Sequence, residues 1–475
     1  MVKETKLSQT GQAFDAANSV ENSGFSPAIF VLLLLIPIAS TVVYGAVDTS
    51  ALGILAILTA LVALLWLAHG WKTGGLPLVA NSLQIPLAGL IAIGIIQLLP
   101  LGGDAAASEL LGVPAASALS IDPYSTRFFI VRLIVYAIFF AAVLTFIRSE
   151  GHVKKTAVIL IVFGGVMAFF GILQRLAEPD AIYGLRPTPQ AIPFGSFVNQ
   201  HHFAAFMEMT SGLVLGLIFG SGVAPDRRIL LVIAAVIMGL AVVFTGSRGG
   251  MLSYAGVILF AAVAGRIYAG ADRKRTGRDV AAADTRQRKL SAIAGAAAVV
   301  FIALGLVVFL GAESNLLRGL GFQGSAGDPT SGRSHFWLIG LKIFLANPII
   351  GTGLDTFAFA FPQFDTRSGL YRVENAHNDY LQTLSDSGIL GFLCVAAFIW
   401  MLFRKGLARI AALHDRFARG VAVGALAGCF GILIHSFFDF PLRTTSNGFI
   451  FLMLAALAAN LPMKWETDLQ RNAGE

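Results

Sequence analysis

His377 stands in Glu374-Asn-Ala-His-Asn-Asp-Tyr-Leu-Gln382, a polar stretch that runs directly into a long apolar segment. An imidazole with an ordinary pKa of about 6.5 can take a proton from a reacting hydroxyl at neutral pH, which makes His377 the leading general-base candidate. Asn378, Asp379 and Gln382 supply neighbouring groups that can orient the imidazole or the hydroxyl. The plainer reading is a surface histidine beside a helix cap. Against it stands the setting, because titratable groups are costly near a bilayer and mark function there.

Arginines give the second constellation. Arg248 lies in Thr245-Gly-Ser-Arg-Gly-Gly250, a glycine-rich turn between two apolar runs. Glycines admit an anion close to the backbone, the following helix start offers unpaired N–H groups, and a guanidinium grips two phosphate oxygens at once. Arg333 precedes an amphipathic stretch, and Arg186 sits among the prolines of 183–193. Singly, each of the three reads first as a solvated or snorkelling charge; converging on one pocket, they would bind a diphosphate. Arg132 lies inside an apolar run and needs a partner or a wet cavity. Asn199 with His201 and His202, and His435 with Asp439, are further polar groups at predicted helix ends, read first as packing or hydrogen-bonding groups and second as pocket wall. There is no HExxH, no close Asp-x-Asp on the outer segments and no Walker motif, so neither a divalent ion nor ATP hydrolysis is expected, and no cofactor.

These groups must be held by membrane helices. The 475-residue chain is 56% hydrophobic and 13% charged, with mean hydropathy +0.76, whereas soluble domains carry about 25% charged residues. Apolar runs of spanning length fall near 27–46, 51–69, 85–101, 129–147, 156–174, 204–222, 229–245, 250–268, 291–311, 388–403, 420–437 and 447–463. The expected fold is therefore all-α, a polytopic bundle of about twelve transmembrane helices. Lys and Arg concentrate in alternate segments, with seven in 269–290 and five in 404–419. Since basic residues stay on the cytoplasmic side, residues 1–26 and 464–475 are expected inside, flanking one membrane domain over 27–463. The segment 312–387 then becomes a large outer loop. The net charge of +7 is accounted for by this asymmetry, and no nucleic-acid partner is implied. The first apolar run exceeds a cleavable signal core and is expected to stay as an anchor. Within the outer loop, Ser331–Leu345 places Phe336, Ile339, Ile343 and Phe344 at helical spacing, as in a helix lying on the membrane. A second helix is expected to begin near Asn375, capped by that residue, with His377 in its first turn. Cys394 and Cys429 fall inside predicted helices and support neither a disulfide nor a zinc site.

Taken together, these elements resemble the O-antigen ligase and polymerase family of bacterial membrane glycosyltransferases. The resemblance rests on Ser247-Arg248-Gly249-Gly250, on Gly332, Arg333 and Trp337, on Pro348, Gly351, Gly353, Thr356 and Phe357, and above all on His377 to Gln382 followed by Gly388 and Gly391. Weaker echoes are Asp122 to Arg127, Phe197 to Asn199 with His202, and His435 to Asp439. It covers roughly residues 120–445. It implies a fold like the GT-C type, a polyprenyl-diphosphate-linked glycan donor, a glycan or lipid-core acceptor, a membrane-lipid setting, and a site on the periplasmic side of the bacterial inner membrane. It also implies diphosphate binding by Arg248 and Arg333, and His377 as the base. Asp386 departs from the Glu found in many relatives.

A ligase and a polymerase differ only in acceptor, and the residues do not separate them. A transporter or flippase of lipid-linked sugars is the reading from another class. It calls for charged residues spread through the bilayer, whereas the polar groups here gather at outer helix ends. Topology is directly testable: a cysteine replacing Ser368 should react with a membrane-impermeant maleimide from the periplasmic side, and labelling only from the cytoplasm would invert the assignment.

Overall fold

The computed structural model describes residues 24–101, 117–177, 181–189, 191–220, 222–224, 227–276, 332–367 and 373–462, with three isolated positions at 293, 297 and 301. The expected helix 291–311, the terminal segments (all but the last three residues of 1–26, and 464–475), most of the linker 269–290, and parts of the 312–387 loop lie outside the described residues. In chain order the helices are α1 (Ser26–Val42), α2 (Thr49–Thr73), α3 (Gln84–Gln97), α4 (Pro123–Phe146) and α5 (Glu150–Ala177). A small hairpin follows, β1 (Ala181–Ile182) with β2 (Arg186–Pro187). Then come α6 (Gln200–Phe219), α7 (Arg228–Phe244), α8 (Arg248–Thr276), α9 (Arg333–Ala346), α10 (Phe357–Phe364), α11 (Asp379–Ala412), α12 (Arg416–His435) and α13 (Thr445–Asn460). Seven of them, α2, α4, α5, α6, α8, α11 and α12, are long and apolar enough to cross a membrane, and α1, α3, α7 and α13 are shorter apolar helices.

Several helices start earlier than hydropathy alone predicts, because a polar side chain caps the first turn. Asp122 accepts from the backbone N–H of Tyr124 and Ser125 at the start of α4, and Asn199 from that of His201 at the start of α6. Asp415 caps α12 through Ala418 N–H at 2.6 Å. In the other direction, α8 continues to Thr276, into the segment whose composition reads as linker.

The central helix is α6, buried along its whole length. It packs on α12, α8, α7, α5 and α13. Gly212 and Gly216 of α6 and Gly220 at its C-cap face Gly420, Gly424 and Gly428 of α12, both sets at four-residue spacing. A Cβ at Gly212 would lie 2.6 Å from the carbonyl oxygen of Gly424. The two backbones therefore touch, as small-residue stripes allow in membrane helices.

The second close approach shapes the outer loop. α11 breaks at Gly388, where φ is 62° and ψ −165°, a conformation open only to glycine. The break exposes backbone groups that pair with residues 348–353. Thr352 N–H donates to Ser385 O (3.0 Å), Gly353 N–H to Asp386 O (3.0 Å) and Ile389 N–H to Pro348 O (2.8 Å). Gln97 of α3 clamps the same strip, donating to Ile350 O and Asp386 O and accepting from Leu354 N–H. α9 does not spread the expected face on a membrane. It buries Ile339 and Ile343 in a small core with Phe357, Ala360, Phe361 and Ala376, because α10 and the 373–376 segment cover that face; Leu338, Leu341 and Leu345 are its exposed apolar side.

The α6–α12 contact gives a sharp expectation for stability. Gly216→Leu drives a side chain into the backbone of Gly424 and should cost roughly 1–3 kcal/mol or more, seen as a lower melting temperature in detergent. Gly53→Leu, where a Cβ meets nothing within 4 Å, should leave the melt unchanged; equal melts for the two variants would contradict the packing.

Candidate active site

The polar ends of α6, α8, α9, α11, α12 and α13 meet at one end of the bundle. Residues 375–379 are sewn onto the turn that follows α12. Asp379 N–H donates to Ser436 O at 2.9 Å, Asn378 Nδ2 to Phe437 O at 3.1 Å, and the Tyr380 hydroxyl to Leu433 O at 2.7 Å. This seam brings His377 to Asp439. His377 Nδ1 lies 2.9 Å from Asp439 Oδ1, and Arg333 Nη2 lies 3.3 Å from Asp439 Oδ2. The Asp439 carboxylate is 1% exposed, while His377 and Arg333 keep 29% and 18% of their side chains open.

His377 itself differs from the expected first-turn residue. It precedes the helix, with φ +50°, and the cap is Asn378, whose Oδ1 accepts from the N–H groups of Tyr380 and Leu381. Asn375 does not cap α11; its Oδ1 accepts from Gln382 Nε2 at 3.0 Å. Left-handed backbone at a non-glycine residue is strained and is held only where the surroundings enforce it. Here Gln382 accepts from Ala376 N–H at 3.0 Å, Trp337 Nε1 donates to His377 O at 3.4 Å, and the rings of Phe336 and Phe440 pack on the imidazole at 5.9 Å and 4.8 Å between centroids. The imidazole is thereby turned outward from the helix axis towards Asp439.

Burial alone would push the Asp439 carboxyl upward. The hydrogen bond and charge of His377, with the charges of Arg333 and His201, outweigh it and hold the group well below the usual carboxylate range. Asp439 is thus an anion at any pH near neutrality, and His377 must present Nδ1–H to it. In the neutral imidazole that fixes the tautomer, with the lone pair on Nε2.

The other expected residues separate into two sets. Arg248 begins α8 and lies within electrostatic reach of Arg333, which shares Asp439 with His377. Ser247 in the same turn bonds His201 Nδ1 at 2.9 Å. Arg186 is engaged elsewhere: it forms a two-point ion pair with Asp48 and lies over the Tyr44 ring at 4.8 Å. That pairing satisfies the guanidinium in the 44–48 and 181–187 region, and no described contact joins it to the His377 group. Asn378, Gln382 and Asn199 act on backbone, as caps and turn locks. Asp379 accepts from the Ser436 hydroxyl at 2.9 Å and Leu442 N–H at 3.3 Å. Asn378, Asp379 and Gln382 hold the backbone around His377, whereas Asn199 caps α6 through His201 N–H.

Two residues carry more than their sequence context suggested. Asp439 orients the imidazole, a role that becomes visible only when α11 and α12 are placed side by side. Arg443 ties Asp355 and Asp386 together through Nη1 and Nη2, each at 2.7 Å. Burial would strip its charge, but the carboxylates of Asp386, Asp355 and Asp379 raise its pKa above the ordinary value. Asp386 thus pairs with Arg443 and fixes the 351–355 loop. Arg132 finds its partner in the same place, donating from Nη1 to Arg443 O at 3.3 Å.

Residues 233–396 match the O-antigen ligase family. The matched span contains Arg248, Arg333 and His377, and over those residues the chain is similar to the O-antigen ligase family. With the seven apolar helices, this similarity makes the chain a multi-pass membrane protein. Asp439, Glu208 and His435 lie beyond the matched residues. A search among curated proteins gives no match.

A depressed carboxyl stabilises the fold above its unfolded pKa and loses that contribution only as pH falls through the lower, folded value. Asp439→Asn should therefore lower the melting temperature at pH 7 and equally at pH 5. The gap between wild type and variant should close only below about pH 4; closure between pH 7 and pH 5 would show that Asp439 is not the buried anion.

Proposed function

We propose that the protein transfers a glycan from a polyprenyl diphosphate carrier to an acceptor hydroxyl, with inversion and without a metal or other cofactor, at the periplasmic face of the bacterial inner membrane. The observation that carries this reading is the imidazole of His377 fixed by the Asp439 anion at 2.9 Å beside the guanidiniums of Arg333 and Arg248. A sugar hydroxyl is a weak nucleophile. A base positioned on its proton contributes roughly 10²–10⁴-fold.

In the step proposed, His377 Nε2 takes the acceptor hydroxyl proton as that oxygen attacks the anomeric carbon of the donor. The new C–O bond forms on the face opposite the bond to the diphosphate, which breaks, and the electron pair leaves with the lipid diphosphate. Asp439 stabilises the imidazolium so formed. Arg248 and Arg333 stabilise the charge developing on the departing oxyanion, the largest electrostatic demand of the reaction. The imidazolium then returns its proton to solvent or to the released diphosphate. An acceptor built on a lipid core makes the protein a ligase, which is the reading preferred here, and a second lipid-linked repeat unit makes it a polymerase. In a deletion strain, accumulation of lipid-linked polymer supports the first and of single repeat units the second.

The chemistry has its own test with purified protein, lipid-linked glycan and acceptor. His377→Ala should lower kcat by roughly 10²–10⁴-fold without unfolding the protein. Arg248→Ala should chiefly weaken donor use, with poor rescue by Arg248→Lys, because a point charge does not reproduce the planar fork. Wild-type rates in His377→Ala, or activity lost to a chelator and restored by a divalent ion, would overturn the mechanism.

A further inference from the structure

We propose that His435, held by Glu208, is a second histidine of this site with the opposite task, donating a hydrogen bond from Nε2–H to the donor diphosphate beside Arg248 and Arg333. The inference rests on the transferase reading for the identity of the anion, and on geometry for the rest.

Glu208 projects from the middle of α6, and His435 is the last residue of α12. Their side chains are 0% and 1% exposed, and Glu208 Oε1 lies 2.9 Å from His435 Nδ1. The second carboxyl oxygen, Oε2, is buried with no hydrogen-bond partner. An anion with a bare oxygen in apolar surroundings is costly unless the pair as a whole is neutral. A proton on Oε2 would be a buried donor with no acceptor, since that oxygen has no partner, so two neutral arrangements remain. Either Glu208 carries the proton and donates it to Nδ1, which places the imidazole hydrogen on Nε2, or the proton moves to Nδ1 and the imidazolium carries hydrogens on both nitrogens. In both, Nε2–H is a donor.

The contrast with the other dyad is one of partners. Asp439 has a donor on each oxygen, His377 Nδ1 and Phe440 N–H on Oδ1 and Arg333 on Oδ2, so it stays ionised and leaves His377 Nε2 as an acceptor. Two histidines at the ends of adjoining helices are thus fixed in opposite senses, the arrangement that separates acid from base roles.

His435 Nε2 also faces the anion-binding turn. A Cβ at Gly249 would sit 3.5 Å from that nitrogen and 2.9 Å from Phe438 Cβ, so the bare glycine keeps the imidazole edge against the turn that carries Arg248. The charges of Asp439 and Arg333 both reach His435. A diphosphate held by the two arginines is the anion whose chemistry fits a neutral or cationic N–H donor there.

Inorganic pyrophosphate, titrated calorimetrically into the purified full-length protein, reads the site without needing transfer. His435→Phe keeps the volume and removes the donor; it should weaken pyrophosphate binding about tenfold or more, raise the donor KM in parallel, and leave the acceptor KM alone. Glu208→Leu frees Nδ1 and should weaken binding too, whereas Glu208→Gln, whose amide N–H can still donate to Nδ1, should recover most of it. Should the Phe variant fail to fold, His435→Leu serves the same comparison. Wild-type pyrophosphate affinity in a folded His435 variant, or a Glu208→Gln variant as weak as Glu208→Leu, would overturn the assignment. Failure of the wild-type protein to transfer any lipid-linked glycan would instead sink the transferase reading, with the pyrophosphate titration still judging His435.

Discussion

The contact on which the site depends is backbone against backbone, α6 on α12. Six glycines at four-residue spacing let the two helices touch, and everything at their upper ends follows. α12 is then close enough for His435 to meet Glu208, and its following turn carries Asp439 over the mouth of the bundle. The 375–379 segment hydrogen-bonds to that turn and delivers His377. A single extra methyl at the crossing would move all of these groups together.

A second constraint is charge balance in a dry interior. Three of the buried acids have a cationic or proton-sharing partner: Asp439 has Arg333 and His377, Asp386 has Arg443, which also holds the half-exposed Asp355, and Glu208 has His435. Pairing of this kind does not by itself imply stability, since desolvation offsets much of the attraction. Its use here is orientation. Arg443 fixes the loop containing Asp355, and Asp439 fixes a tautomer. Arg333 and Arg248 lie within electrostatic reach of each other, and Arg333 shares the Asp439 anion with His377.

The membrane class, the helical fold and the leading candidates were legible in the sequence because hydropathy and short polar motifs are local signals. His377, Arg248 and Arg333 could be picked out by residue type and setting; the structure places His377 and Arg333 on Asp439 and Arg248 within electrostatic reach of Arg333. Asp439 could not be ranked above other polar residues at helix ends, since its importance arises from a contact across 62 positions. Arg186 looked equivalent to the other arginines until Asp48, distant in sequence, proved to hold it. The register of α11 was displaced by three residues because Asn375 and Asn378 are equally good caps by type, and only the pairing of Asn375 with Gln382 decides between them. The two glycine stripes were present at readable spacing, and their meaning required knowing that α6 and α12 are neighbours.

The central claim is that His377 and Asp439 work as one unit, the carboxylate acting only through the imidazole it orients. A double-mutant cycle on the transfer rate of purified protein tests this most directly, using His377→Ala, Asp439→Asn and the pair. Residues that act as a unit give strongly non-additive losses, so the account predicts a double variant no slower than His377→Ala alone. Losses that multiply, with Asp439→Asn slowing the enzyme as much without the imidazole as with it, would contradict the dyad.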